Sequence, residues 1–285
     1  MRIELHVAAL VLLSALIHAS WNTIVKSDVD RLVSFAVVMI SGTVLCLFVA
    51  PFVAFPSGEA WVYIVASTIV HNFYYFFLLR AYAHGDLSHV YPIARGLGPL
   101  LVAIFSGRLI GEALTTVEYA GVLLVSIGVT SLALARGLPH GAEWRPTIYA
   151  VLTGITIAGY TIIDGVGARQ SGDAIGYIVW LNIAEGPWVM MVAIVRRGRV
   201  IVPYLQSYWW RGAAGGAIAT FGYGIAIWAL SLGAMAHVAA LRETSVLFGA
   251  LMGTFLLRES FGPRRIAAAA IVVAGLLLMN LPIFR

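Results

Sequence analysis

The chain has 285 residues, of which 61% are apolar and only 11% charged, and it carries a formal net charge of +5. A soluble domain averages about 25% charged residues, so this composition excludes a soluble enzyme, a disordered chain and a nucleic-acid binder with a long basic patch. It indicates a polytopic membrane protein, with most Lys and Arg in short loops between apolar runs.

A helix needs about 20 mostly apolar residues to cross about 30 Å of hydrocarbon. Ten such runs follow along the chain: 5–24, 33–54, 61–82, 88–106, 117–135, 147–167, 174–195, 208–232, 237–257 and 264–281. Charged or Gly/Pro punctuation separates them, as at Lys26–Arg31, Pro56–Glu59, His84–Asp86, Arg136–Arg145 and Arg196–Pro203. The connections are too short to hold a soluble domain. The first run starts next to Met1 without a small-residue cleavage site, so it reads as a retained helix and not a signal peptide. The single cysteine, Cys46, cannot form an intramolecular disulfide and reads as a small apolar core residue.

Ten spans place both termini on one face. That face carries Arg2, Arg108, Arg169 and Arg285, whereas the opposite face carries Lys26, Arg31, Arg80, Arg136, Arg145, Arg196, Arg197, Arg199, Arg211, Arg258, Arg264 and Arg265. The positive-inside rule then puts the richer face in the cytoplasm and the termini outside.

The chain also repeats itself. Positions 84–90 (His-Gly-Asp-Leu-Ser-His-Val) align with 232–238 (Leu-Gly-Ala-Met-Ala-His-Val), pairing Gly85 with Gly233 and His89 with His237 at an offset of 148. At an offset of 147, Arg95 then pairs with Arg242, Glu112 with Glu259 and Gly128 with Gly275. Self-similarity near half the length is the mark of a duplicated transporter fold. Five spans per half is an odd number, so halves 1–140 and 141–285 must run in opposite orientations. The expected fold is an all-α polytopic membrane protein of ten transmembrane helices, built as two inverted five-helix repeats around a central cavity.

The run His89-Val90-Tyr91-Pro92-Ile93-Ala94, with Pro99, Gly111-Glu112, Gly121 and Ile127-Gly128-Val129, resembles the first EamA-type half of the drug/metabolite transporter (DMT) superfamily. The second half is similar through Arg242-Glu243-Thr244-Ser245-Val246, Arg258-Glu259 and Ala274-Gly275-Leu276, and Trp21-Asn22 also fits. The resemblance implies a ten-helix secondary transporter with a central cavity. It also implies cytoplasmic termini, opposite to the charge count. The basic cluster usual between spans two and three is replaced here by Pro56-Ser57-Gly58-Glu59, and the loop between spans seven and eight is basic instead.

A charge at the centre of a span costs about 2.5–3.5 kcal/mol on insertion scales, so it faces a partner or a wet cavity. Arg95, Glu185, Arg242 and Glu243 are such charges, and Asp164 is a fifth nearer a helix end. Arg95 lies in Tyr91–Pro99, where two prolines and two glycines predict a kinked or unwound helix. A guanidinium there either holds an anionic ligand through paired donors or satisfies the broken helix's own carbonyls. Arg242 and Glu243 diverge by about 100° on a helix, so they either touch a ligand or lock helices together. The expected buried pairs are Arg242–Glu185 and Glu243–Arg95.

Asn182, Glu185 and Trp188 recur every three residues and are expected on one side of a helix. A carboxylate beside an indole suits an ammonium through ion pairing and cation–π attraction, and a carboxylate in an apolar site is a candidate carrier of a coupling proton. Further cavity faces are His18, Trp21 and Asn22 in span one, His71, Tyr74 and Tyr75 in span three, and Tyr160 with Asp164 in span six. With Tyr91, these supply the candidate substrate-binding set: Arg95, Glu185, Arg242, Glu243, Trp188, Tyr91, Trp21, Asn22, His18, His71, Tyr75, Asn182 and Tyr160. Trp61, Trp144, Trp209 and Trp210 fall at span ends, where an interfacial belt is expected. His89 and His237 read as helix-end residues. Gly249 with Gly253, and Gly121 with Gly128, are expected to let helices approach closely or to form an oligomer seam.

The seven His are scattered, and the sequence has no His-Glu-x-x-His, Cys cluster or P-loop glycine run. The expected function is therefore not enzymatic. It is secondary active transport across the cell (inner/plasma) membrane by alternating access, without a cofactor but with possible coupling to protons or another ion gradient. Both signs of charge plus aromatics favour a small polar metabolite, an amino-acid-like zwitterion or an amine, with export as the expected direction. The alternative substrate is a hydrophobic cation or drug. The expected partners are this small molecule and the lipid bilayer, with no nucleic acid, in a monomer or homodimer.

Overall fold

A chain in hydrocarbon must satisfy every backbone N–H and C=O internally, which leaves helices as the natural outcome for these apolar runs. The computed structural model describes residues 3–26, 30–84, 87–133, 144–257 and 262–280, with the side chains of 22–26, 31, 87–88 and 253–257 left aside. All regular structure among the described residues is helical. The elements are α1 (Leu5–Lys26), α2 (Arg31–Val49) with a 3-10 turn at Ala50–Phe52, α3 (Gly58–His84), α4 (Leu87–Ile110), α5 (Thr116–Ser131), α6 (Trp144–Gln170), α7 (Ala174–Ser231), α8 (Met235–Arg242), α9 (Thr244–Leu257) and α10 (Pro263–Asn280).

Local sequence sets several boundaries. Asp30 caps α2 by accepting from the Leu32 and Val33 amides at 3.1 and 3.2 Å, and Asp173 caps α7 by accepting from the Ile175 amide at 3.0 Å. Thr115 and Glu118 form a reciprocal capping box at the start of α5.

Six helices among the described residues are long and apolar enough to cross a membrane, and Leu5–Trp21 and Thr116–Ser131 are shorter apolar helices. The chain is thus a multi-pass membrane protein. Exposed apolar side chains such as Phe48 and Val195 suit contact with lipid. Trp144, Trp209 and Trp210 are also exposed, whereas Trp61 packs against Phe55 and Trp180.

Two predicted boundaries differ. Runs 174–195 and 208–232 appear as the single 58-residue α7, bent where Arg197 leaves helical geometry (φ −139, ψ 18). A straight helix of that length would extend about 87 Å, far beyond a bilayer, so the bend separates two arms. Conversely, run 237–257 is two helices, α8 and α9, with Glu243 at the junction. The unwinding expected around Arg95 is absent: α4 stays helical through Pro92 and Pro99. Its Gly96 instead serves packing, since a Cβ there would stand 2.9 Å from the Ser126 carbonyl oxygen of α5.

The α5–α10 seam carries the repeat into packing. A Cβ at Gly121 would meet the Gly275 carbonyl oxygen at 2.8 Å, and one at Gly275 would meet the Gly121 oxygen at 2.7 Å. A Cβ at Gly128 would lie 3.1 Å from the Ala268 oxygen. The repeat offset of 147 exchanges Gly121 with Ala268 and Gly128 with Gly275, so the two contacts map onto each other. Gly249 has open space where its Cβ would stand, so it is not a close-packing glycine, and Gly253 lies outside the described side-chain positions. Cys46 is buried, as expected of a small apolar core residue.

Candidate functional site

A cavity lies among α1, α2, α3, α6, α7 and α8. His18 and Trp21 reach it from α1, and Phe35, Val38 and Met39 from α2. α3 contributes His71, Tyr74 and Tyr75, and α6 contributes Tyr160. The first arm of α7 adds Asn182 and Glu185, the second adds Ala219, Thr220 and Tyr223, and α8 adds Arg242.

Aromatic rings make most of the wall. His18 meets Trp21 edge-on at 5.3 Å, Trp21 stacks on Phe35 at 6.2 Å, and Phe35 meets Tyr75 edge-on at 5.0 Å. His71 stacks on Tyr160 at 4.0 Å and meets Tyr223 edge-on at 5.7 Å. The Arg242 guanidinium lies over the Tyr223 ring at 5.3 Å.

The acidic part of the cavity centres on Glu185, which is only 3% exposed. Its Oε1 stands 2.9 Å from His71 Nδ1. That nitrogen also lies 3.1 Å from both the carbonyl oxygen and the Oγ of Ser67, so one ring position faces three oxygens and the tautomer decides which it serves. Behind Tyr223, whose hydroxyl donates to Asp164, the buried Asp164 also accepts from the Tyr177 hydroxyl at 3.0 Å. Asn182 donates to the Ile178 carbonyl at 2.8 Å, and its Oδ1 accepts from Thr220 at 3.4 Å.

Of the sequence-derived candidates, His18, Trp21, His71, Tyr75, Tyr160, Asn182, Glu185 and Arg242 line this one cavity. Arg95 and Glu243 do not. They are 4% and 2% exposed and paired with each other at 3.0 Å, with Arg95 also donating to the Arg242 carbonyl at 3.4 Å and to Ser245 Oγ at 3.2 Å. The expected Glu243–Arg95 pair is therefore present, while Glu185 faces His71 instead of Arg242. Tyr91 packs against the large apolar core. Trp188 is 51% exposed and does not line the cavity. The reason is geometric: steps of three residues drift about 60° each on a 3.6-residue helix, so a side shared by Asn182 and Glu185 is lost by Trp188. The Asn22 side chain lies outside the described residues.

Sequence reasoning missed Phe35, Met39, Thr220 and Tyr223. The last two are three residues apart on the second arm of α7, but within an apolar run neither carries a charge that would single it out. His89 faces Thr147 Oγ1 at 3.1 Å. His237 is near the start of α8 as expected, but it is buried, with Nε2 3.4 Å from Glu118 Oε1.

No curated protein matches this chain. A solved crystal structure of a protein superposes with a TM-score of 0.79 at 19% identity, covering 97% of this chain and 98% of the other, which shows a shared fold. The model of the EamA-like transporter family matches twice, over residues 6–134 and 144–281. With two matched units that together span nearly all of its length, the chain belongs to the EamA-like transporter family.

Proposed function

We propose that this protein is a secondary active transporter that moves a small zwitterion or amine by alternating access through ten spans. The two arms of α7 count as two of these, and α8 with α9 as one. Repeats 1–140 and 141–285 are read as inverted about the α5–α10 seam. The carrying observation is that Glu185 and Arg242, of opposite charge and 3% and 5% exposed, line the same aromatic cavity. Glu185 suits an ammonium and Arg242 a carboxylate, with His71, Tyr75, Tyr160, Asn182, His18 and Trp21 around them. Arg95, Glu243 and Tyr91 stand behind this wall. No catalytic role or cofactor is needed, and the driving force is a proton or other ion gradient acting on the cavity's titratable groups.

Trp21 lies five residues before the end of α1 and Phe35 four residues after the start of α2. The cavity thus reaches close to the α1–α2 face. The positive-inside reading makes that face cytoplasmic, which supports loading from the cytoplasm and export across the plasma membrane.

A thermal-shift screen of the purified protein tests the substrate class, because a ligand bound to the native state raises the melting temperature. Zwitterionic amino acids are expected to stabilise more than their decarboxylated or N-acylated analogues. Stabilisation by lipophilic quaternary cations alone would favour the second reading, a hydrophobic-cation exporter, which the run of stacked rings from Trp21 to Tyr75 supports.

A further inference from the structure

A second cluster of polar side chains lies away from the cavity, around the α4–α5 connection. Glu112 there pairs with Arg169 at the end of α6, Oε1 to Nη2 at 2.7 Å. Its other oxygen accepts from the Met235 amide, the first residue of α8, at 2.9 Å. Arg169 in turn donates to the Leu230 carbonyl through Nε at 3.1 Å and Nη2 at 3.0 Å. Six residues after Glu112, Glu118 brings Oε1 to within 3.4 Å of His237 Nε2 on α8.

α8 needs this outside help. Its N-cap, Ala234, is a non-glycine residue in the left-handed region (φ 53, ψ 47) and offers no side-chain cap. That conformation is strained for an L-residue. The first amide of α8 is instead satisfied by a carboxylate from the other repeat, which also complements the positive end of the helix.

Following the chain through its spans, the ends of α4, α6 and α7 and the start of α8 lie on the face bearing the termini. This is opposite to the face toward which the cavity reaches. Leu230 and Arg169 belong to the same repeat and can move together. Within this cluster, the contacts that cross between repeats are Glu112–Arg169, Glu112–Met235 and Glu118–His237.

We infer that Glu112, clasping Arg169 and the start of α8, is the gate that closes the transport path on the terminus-bearing face. This inference rests on the alternating-access reading. Opening on that face requires the α4–α5 connection to release α8, and the groups that part are a carboxylate, a guanidinium and a helix N-terminus, all readily hydrated. The Glu112–Arg169 side chains are 12% and 28% exposed, so water already reaches the pair it would have to separate.

The test needs no known substrate. Ala219 lines the cavity, so Ala219→Cys in a Cys46→Ala chain provides a reporter for a membrane-impermeant maleimide applied to either face of sealed vesicles. A C-terminal tag identifies the terminus-bearing face. The reporter chain is expected to label from the opposite face and slowly from the terminus-bearing face. Loss of one partly exposed charge pair and its cap should raise the slow rate by about threefold or more in both Glu112→Ala and Arg169→Met, with Arg169→Lys close to the parent. Unchanged terminus-face labelling in both variants, with labelling from the opposite face intact, would overturn the gate and leave alternating access standing. Labelling from neither face in any folded chain, with full labelling after denaturation, would overturn the cavity reading and the gate with it.

Discussion

Arg95 Nε donates to Glu243 Oε2 across 3.0 Å, joining α4 of the first repeat to the junction of α8 and α9 in the second. The same guanidinium reaches the Arg242 carbonyl and Ser245 Oγ, so it braces both sides of the break. Arg95 and Arg242 occupy equivalent repeat positions but do different things: one holds the break, and the other faces the cavity over Tyr223.

Removing one partner of such a pair leaves an uncompensated buried charge, which costs about 3–5 kcal/mol. Arg95→Met is therefore expected to lower the melting temperature markedly. Adding Glu243→Gln should recover part of the loss, because the orphaned charge is removed as well. A double-mutant cycle of thermal unfolding in detergent measures this, and an additive result would refute the pairing.

Glu185 and Trp188 together test the proposed site. Glu185→Gln keeps the shape of the cavity but loses the charge facing His71, and its affinity for ammonium-bearing ligands should fall tenfold or more, about 1.4 kcal/mol. Trp188→Ala should leave affinity unchanged, since the ring is exposed. Equal losses in a binding titration of the two variants would remove Glu185 from the site.

The glycines divide in the same way. Gly121→Ala forces its new Cβ against the Gly275 carbonyl oxygen, and overpacking of this kind costs about 1–3 kcal/mol. Gly249→Ala meets nothing and should be neutral or slightly stabilising, because alanine favours helix by about 1 kcal/mol over glycine. Melting temperatures of the two variants should move apart, and a destabilised Gly249→Ala would show that this face is packed after all.

Tyr177→Phe removes one of the hydroxyls that donate to the buried Asp164. A buried hydrogen bond contributes about 1 kcal/mol, so stability should fall by that order. Tyr177 does not line the cavity, so ligand affinity measured on the folded protein should hold. A drop in affinity at unchanged stability would count against this division of labour.

Much of this molecule was legible in its residues. Apolar length and charge punctuation revealed a helical, multi-pass membrane protein, because hydrocarbon permits few alternatives to a helix. The offset of 147 revealed the two repeats, and polar and aromatic helix faces together with two of the buried charges pointed to much of the cavity wall, because an ion inside a membrane needs a reason to be there. The tertiary structure alone decided which charges meet. Glu185 could face His71 or Arg242, Arg95 could bind a ligand or brace a helix, and Trp188 could face inward or outward. Each choice depends on helix rotation and on neighbours more than a hundred positions away, and a run of apolar residues does not encode these locally. The break at Glu243 and the clasp at Glu112 belong to the same class: each meets a group that the other repeat presents at that point.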